Sequence, residues 1–228
     1  MDDILVQARD LNRSYRNGRE QVSVLRGLSL ELRRGEAVAV VGPSGSGKST
    51  LLNLLNGLLP PDSGELRVFG MDQAQLGEAR WAELRRTRIA TLFQDGNLIP
   101  TLTVARNIAF RAGLAGLQEH AGQALLERLD ITATANRYPD QLSGGQRQRA
   151  ALACAFAMEP ELILADEPTG SLDQATAARV APLFFDAIRE RALGALIVTH
   201  NTELARRCDR VLELRQGALE PWDSALSS

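Results

Sequence analysis

The sequence predicts an α/β fold built on a parallel sheet, and three observations carry that expectation. A glycine-rich stretch stands between a strand-like and a helix-like segment, two further strand-like runs end on reactive side chains, and a long stretch before those two runs is patterned as helix. The first of these segments, Glu36-Ala-Val-Ala-Val-Val41, is short, apolar and β-branched, the composition of a buried strand. Gly42-Pro-Ser44-Gly45-Ser-Gly47-Lys48-Ser49-Thr50 follows and fits the pattern G-x-x-x-x-G-K-[ST] at every position. Behind it Leu51, Leu52, Leu54, Leu55, Leu58 and Leu59 recur at the spacing of one helix face. Strand, glycine-rich turn and helix form the arrangement that a polyphosphate needs. Glycines lack Cβ atoms, so the backbone can close until its N–H groups and the helix N-terminus face the anion. Lys48 adds a point charge toward the β- and γ-phosphates, and the Ser49 hydroxyl can ligate Mg²⁺. The loop therefore predicts a nucleoside triphosphate site.

Two more strand-like runs end on chemistry. Leu162-Ile-Leu-Ala165 terminates in Asp166-Glu167, and Ala195-Leu-Ile-Val-Thr199 terminates in His200. Ligands of open parallel sheets sit beyond the carboxyl ends of the strands, so three strands deliver a phosphate loop, a carboxylate pair and a histidine to one edge. A carboxylate at the end of a neighbouring strand suits Mg²⁺, which makes Asp166 the metal partner. Glu167 points elsewhere and can polarise a water aimed at the γ-phosphate, while His200 is placed to hydrogen-bond that phosphate. In isolation the pair before Pro168 would read as a helix cap and His200 as a structural histidine. Beside a phosphate loop the chemical reading prevails.

Leu142-Ser143-Gly144-Gly145-Gln146 forms a second glycine-rich turn, followed by a helical run over residues 147–158. Gly-Gly is usually only a turn. Yet a hydroxyl, two glycines and a helix N-terminus also make an anion cradle. The first loop already wraps the phosphates from one side, so the second would approach from the other. That predicts a nucleotide sandwiched between two copies of the chain.

The 228 residues suit one domain, and 44% apolar with 24% charged residues is the balance of an ordinary globular protein. A formal net charge of −2 does not recruit nucleic acid or an anionic membrane in bulk. Arg80, Arg85, Arg86 and Arg88 cluster, but Glu78 and Glu83 interleave with them, the pattern of a solvated helix face. No apolar run reaches the length of a membrane span, and Met-Asp-Asp at the start does not open a secretion signal. Cys154 and Cys208 share no metal-ligand spacing and read as free thiols of a reducing compartment. The expectation is a cytoplasmic protein that reaches a membrane only through a partner.

Together these residues resemble the ATP-binding-cassette (ABC) ATPases over nearly the whole chain. The phosphate loop is similar to Walker A, Leu142 to Gln146 to the signature LSGGQ, and Leu162 to Asp166 to Walker B with the catalytic glutamate at Glu167. Ser171-Leu172-Asp173 resembles the D-loop, Gln94 the Q-loop glutamine, which touches the metal and the catalytic site, and His200 the switch histidine. Tyr15 stands where the family stacks an aromatic on adenine. Within the family, Gly57-Leu-Leu-Pro-Pro-Asp-Ser-Gly64, Asn97-Leu-Ile-Pro100 and Asp166-Glu-Pro-Thr-Gly-Ser-Leu-Asp173 are similar to the bacterial group serving lipoprotein release, macrolide export and the cell-division complex. Gly96, Arg106, Cys154 and Asn201 depart from residues common in that group, and none is at a catalytic position. The resemblance implies a RecA-like P-loop NTPase core at about 1–96 and 159–228, an antiparallel β region near the N-terminus, and an α-helical subdomain inserted at about 97–158. Residues 104–129, rich in Ala, Leu and Gly at helical spacing, agree with that insertion.

The implied function is an ATPase subunit using ATP and Mg²⁺, in which two cassettes close on ATP and drive a separate transmembrane permease. It would sit on the cytoplasmic face of the inner membrane. A short helix of the permease would dock beside Leu92, Phe93, Gln94, Leu98 and Pro100. The alternative is a nucleotide switch that regulates a cell-envelope or cell-division complex and transports nothing. An ATPase of DNA repair or translation is disfavoured by the single cassette and the slightly acidic balance. GTP is disfavoured because no Asn-Lys-x-Asp base reader is present.

Overall fold

The computed structural model describes residues 3–18, 20–93, 97–117, 121–170 and 172–222. Two long strands, β1 (Ile4–Asn17) and β2 (Glu20–Arg33), open the chain as an antiparallel pair. Then come β3 (Ala37–Val41), α1 (Lys48–Leu55), β4 (Ser63–Val68) and β5 (Met71–Asp72). Helix α2 (Glu78–Thr87) and strand β6 (Ile89–Leu92) precede a helical stretch of α3 (Val104–Leu114), α4 (Ala121–Arg128) and α5 (Gly144–Ala157). The chain closes with β7 (Leu162–Asp166), α6 (Gln174–Glu190), β8 (Gly194–Val198), α7 (Thr202–Ala205), β9 (Arg210–Arg215) and β10 (Ala218–Pro221). A four-stranded antiparallel sheet has the order β2-β1-β4-β5, and a six-stranded sheet the order β10-β9-β3-β8-β7-β6. Its neighbours from β9 to β6 run parallel, with β10 antiparallel at one edge.

Both faces of the larger sheet are covered, which is why β3 and β8 are buried at every position. Successive side chains take opposite faces. Val38, Val40, Leu162, Leu164, Leu196 and Val198 pack with the antiparallel sheet, the leucines of α1, and Trp81 and Leu84 of α2. Ala37, Ile163, Ala165, Ala195 and Ile197 pack with α3, α5 and α6. Register then places the ends of three strands side by side. Val198 of β8 lies opposite Val40 of β3 on one side and opposite Asp166 of β7 on the other.

Four expectations meet different outcomes. Leu58 and Leu59 do not continue the face of α1. The helix stops at Leu55 with Asn56 as its cap, Gly57 follows at φ +65°, and Leu58 is 49% exposed. A Cβ on Gly57 would lie 2.0 Å from the ring of the buried Trp81, so only glycine serves there. Gly57→Ala is expected to destabilise the fold by about 2–4 kcal/mol, from backbone strain plus overpacking, as read by chemical denaturation. Second, the arginine cluster is the solvated helix face expected, with Arg80, Arg86, Glu78 and Glu83 exposed and its charges paired. Arg80 pairs with Glu83 at 2.6 Å, Arg85 with Glu78, and Arg88 with Glu161, while Arg86 donates to the Leu114 carbonyl at 2.7 Å. Third, Leu92 is 1% exposed, because β6 is itself covered on both sides, so it cannot belong to a docking surface. Fourth, Leu98 is half-buried against the helical core, whereas Phe93 is 42% exposed.

Asn107 holds the segment after residue 97 onto α3. It is buried, accepts from the Ile99 N–H, and its two amide N–H donors are shared among the carbonyls of Ile99, Leu102 and Thr103. A buried amide with all of its groups paired costs nothing in unmet desolvation and specifies one arrangement. The two cysteines are free, and burial pushes both thiols up to about 12. No helix among the described residues is long and apolar enough to cross a membrane.

Candidate functional site

The phosphate loop leaves β3 and enters α1 through three glycines in left-handed backbone, at φ +152° for Gly42, +78° for Gly45 and +107° for Gly47. Two of them are also fixed by space. A Cβ on Gly42 would lie 2.8 Å from the Leu214 carbonyl oxygen, and one on Gly47 would lie 2.7 Å from a Val24 methyl. Helix α1 starts with Lys48, Ser49 and Thr50 and has no acidic residue in its first turn, so its N-terminus is left electropositive. The Lys48 ammonium lies over the loop and donates to the carbonyls of Gly42 and Pro43 at 2.8 and 2.9 Å. The Ser46 hydroxyl is buried with no hydrogen-bond partner in the protein, an orphan polar group inside an anion cradle. A 540 Å³ cavity opens beside Ser44 and Gly45, with Val22 and Val24 on its wall.

Tyr15 comes to the same place from β1. Its hydroxyl is 3.3 Å from the Thr50 hydroxyl at the start of α1. The Arg13 guanidinium stands 5.2 Å from the ring centroid and is itself held by Asp62 at 2.7 Å. The ring is partly exposed, so a flat face is available beside the loop.

At the end of β7, the Asp166 carboxylate accepts from the Ser49 hydroxyl at 2.9 Å. Burial raises the Asp166 carboxyl above its ordinary value; the Ser49 hydrogen bond and Lys48 pull it down, and neighbouring Glu167 pushes it up. Glu167 itself is at φ +48°, rare for a residue with a side chain, and its N–H donates to the Val198 carbonyl at 2.9 Å. That backbone turns the carboxylate toward the end of β8. There Oε2 accepts from the Thr199 hydroxyl at 2.8 Å, and Oε1 accepts from the His200 N–H at 2.8 Å. His200 Nδ1 lies 2.6 Å from the same Oε1. His200 is thus joined to Glu167 by both its backbone and its ring, a link that the sequence did not reveal.

A second group stands apart. Ser143 caps α5: its hydroxyl accepts from the Gln146 N–H at 3.3 Å, and the Gln146 side chain accepts from the Ser143 N–H at 3.1 Å. Asp173 caps α6, accepting from Thr176 N–H at 3.0 Å and from the Thr176 hydroxyl at 2.6 Å, which hold its carboxyl below the usual range. Gly144 is the first residue of α5. A Cβ on Gly145 would lie 2.4 Å from the Thr176 methyl, so glycine is what allows α5 to start against α6. Among the described residues, no hydrogen bond joins Ser143, Gln146 or Asp173 to the phosphate loop or to Asp166 and Glu167.

The fold therefore gathers Tyr15, Gly42, Ser44, Gly45, Gly47, Lys48, Ser49, Thr50, Asp166, Glu167 and His200 about adjoining strand ends. It places Ser143 to Gln146 and Asp173 in a separate pair of helix starts. Gln94 and Ser171 lie outside the described residues. Sequence reasoning missed Thr199, whose only signal was a hydroxyl between a buried strand and the histidine. It also missed Gln148, buried on α5, which donates to the Pro168 carbonyl just after Glu167 at 2.5 Å.

Known proteins resemble this chain over most of its length. The lipoprotein-releasing system ATP-binding protein LolD 1 of Rhodospirillum rubrum is 44% identical over 211 residues, which is 91% of this chain and 93% of that protein. The macrolide export ATP-binding/permease protein MacB of Shigella flexneri is 43% identical over 219 residues, and this chain spans 34% of its length. The dimeric ATP-binding cassette MJ0796, solved in a post-hydrolysis state bound to ADP and Pi, superposes with a TM-score of 0.86 at 33% identity, covering 94% of this chain and 96% of that one. Residues 25–170 match the family described as ABC transporter. With a phosphate loop, a paired Asp-Glu and a histidine meeting at neighbouring strand ends, the chain belongs to the ABC transporter family as one of its ATP-binding cassettes.

Proposed function

We propose that this cassette is the ATP-hydrolysing subunit of a transporter of the lipoprotein-releasing or macrolide-exporting kind, working through a separate transmembrane permease on the cytoplasmic face of the inner membrane. The observation that carries the catalytic part is the meeting of Ser49, Asp166 and Glu167 where β3, β8 and β7 end. The kind of transporter rests on likeness to LolD and MacB.

In this reading Tyr15 supports the adenine by stacking. The loop N–H groups and Lys48 hold the phosphates, and Ser44, Gly45, Gly47 and Thr50 line the approach. The Ser49 hydroxyl and the Asp166 carboxylate, two hard oxygens in contact, fit a divalent cation, and the burial that raises Asp166 is what a cation would offset. Gln94 would join them. Mg²⁺, when bound, supplies positive charge to the β- and γ-phosphate oxygens. Glu167 accepts a proton from the attacking water, and His200 holds the carboxylate on one side while its exposed ring faces the phosphate. Ser143, Gly144, Gly145, Gln146 and Asp173 meet the nucleotide of a second copy of the chain. Residues 97–158 form the helical subdomain that carries this second cradle, set against a core of 1–96 and 159–228.

The permease would dock beside the exposed Phe93, with Leu98 and Pro100 at the margin. Phe93→Asp is expected to abolish stimulation of ATPase activity by the permease while leaving basal hydrolysis within about twofold, since an exposed side chain carries little fold stability. The test is reconstitution in vesicles with a permease of the lipoprotein-releasing kind, measuring phosphate release and lipoprotein release together. ATP-driven release supports the transporter. A permease that changes its own state with ATP and releases nothing replaces it with the regulatory switch.

A further inference from the structure

The residue between strand β8 and the histidine has a role that the catalytic reading does not use. Thr199 is completely buried, and its N–H and its hydroxyl both have partners. Its N–H donates to the Val40 carbonyl at 3.1 Å, two residues before the phosphate loop. Its hydroxyl oxygen accepts from the Asn201 N–H at 3.0 Å and lies 2.8 Å from Glu167 Oε2. A threonine hydroxyl has one proton, and an ionised carboxylate can only accept. The Thr199 proton is therefore committed to Glu167, and the direction of that hydrogen bond is fixed.

The two oxygens of Glu167 are not equivalent. Oε1 accepts from the His200 N–H at 2.8 Å and lies 2.6 Å from His200 Nδ1, which must carry its ring proton to bond an ionised carboxylate, and the two donors together fill its two lone pairs. Oε2 holds the Thr199 hydroxyl alone and keeps one lone pair open. We propose that Oε2 is the atom that takes the proton in hydrolysis and that Thr199 is its positioning residue, aligning the open lone pair by a hydrogen bond anchored to the strand that carries the phosphate loop. The proposal rests on Glu167 being the general base. In the step it serves, a water proton passes to Oε2 as the water oxygen bonds to the γ-phosphorus, and the bond from phosphorus to the bridging oxygen of ADP breaks. Without the Thr199 hydroxyl the carboxylate is held at one oxygen only and can rotate about its last torsion. A base misdirected by a fraction of an ångström loses rate rather than affinity.

The test is steady-state hydrolysis by Thr199→Val, Thr199→Ser and Thr199→Cys, alone and in the Glu167→Gln background, with thermal melts and ATP-dependent dimerisation as independent readouts. Thr199→Val keeps the shape and removes the hydroxyl, so kcat is expected to fall roughly tenfold or more with KM for ATP within about twofold. Thr199→Ser should restore kcat to within about threefold, because it retains the donor. In Glu167→Gln the valine substitution should leave the residual rate unchanged, since two residues acting as one unit do not add. Should Thr199→Val not fold, Thr199→Cys, a weaker donor of similar size, is expected to show the same kcat loss in smaller degree. A wild-type kcat in whichever hydroxyl-free or thiol variant folds overturns the assignment. So does a loss expressed in KM, or an equal loss in the Glu167→Gln background. Normal turnover by Glu167→Gln would remove the base itself and Thr199 with it; an inactive Glu167→Gln beside a fully active Thr199→Val would remove Thr199 alone.

Discussion

Glu167→Gln is expected to bind ATP as the parent does, to lose hydrolysis by roughly a thousandfold, and to accumulate as an ATP-bound dimer. The structure explains why the variant should fold. The glutamine oxygen can take the two donors of His200, and its amide can donate to the Thr199 hydroxyl oxygen, which then turns its proton away. Size and burial are unchanged while the proton acceptor is lost. Dimerisation follows from the second pair of helix starts. Ser143 and Asp173 cap α5 and α6 within their own chain, and among the described residues no hydrogen bond carries them to the phosphate loop of that chain. A two-fold partner would present its nucleotide to them, each chain lending a phosphate loop to one site and a glycine-rich turn to the other. Light scattering with ATP and Mg²⁺, against ADP as control, reads the result. Ser143→Arg in the same background should bind ATP yet remain monomeric, because the bulky side chain fills the cradle. Its cost as a lost cap is about 1 kcal/mol, too little to unfold the chain. An ATP-dependent dimer of Ser143→Arg in that background, or full turnover by Ser143→Arg alone, would show that the turn meets no phosphate, and near-normal turnover by Glu167→Gln would place the base elsewhere.

Lys48→Ala is expected to weaken ATP binding by roughly a hundredfold and to abolish turnover, while the fold persists. The ammonium spans the carbonyls of Gly42 and Pro43 in the loop, where it is poised over the concave side that the glycines create. Removing it leaves those two carbonyls to water and takes away the cation opposite the phosphates. The helix N-terminus and the loop N–H groups remain, which is why affinity falls without vanishing. Calorimetric titration with ATP checks the affinity, and phosphate release checks the turnover. Hydrolysis at the parent rate would overturn the assignment of this loop.

The residues of the site were legible in the sequence wherever their chemistry is local. Gly42, Gly45 and Gly47 announce left-handed backbone within a single turn, and Lys48 and Ser49 follow at fixed offsets on the helix that the turn starts. The apolar strands that end at Asp166 and His200 could be read because a strand covered on both faces has no polar alternation. Other features depended on which elements become neighbours. Leu58 continues a helical spacing that Gly57 interrupts, and the constraint on Gly57 comes from Trp81 of α2, beyond β4 and β5 in sequence. Leu92 reads as an apolar surface residue until β6 is seen to be buried between the core and the helices. Gly145 reads as part of an anion cradle, yet its lack of a Cβ is also demanded by Thr176 of α6. Thr199 shows the limit most clearly. Its hydroxyl reaches Glu167, 32 positions away, only because β8 inserts between β3 and β7 in that register, and a hydrogen bond across strands is set by their pairing and not by anything within either strand.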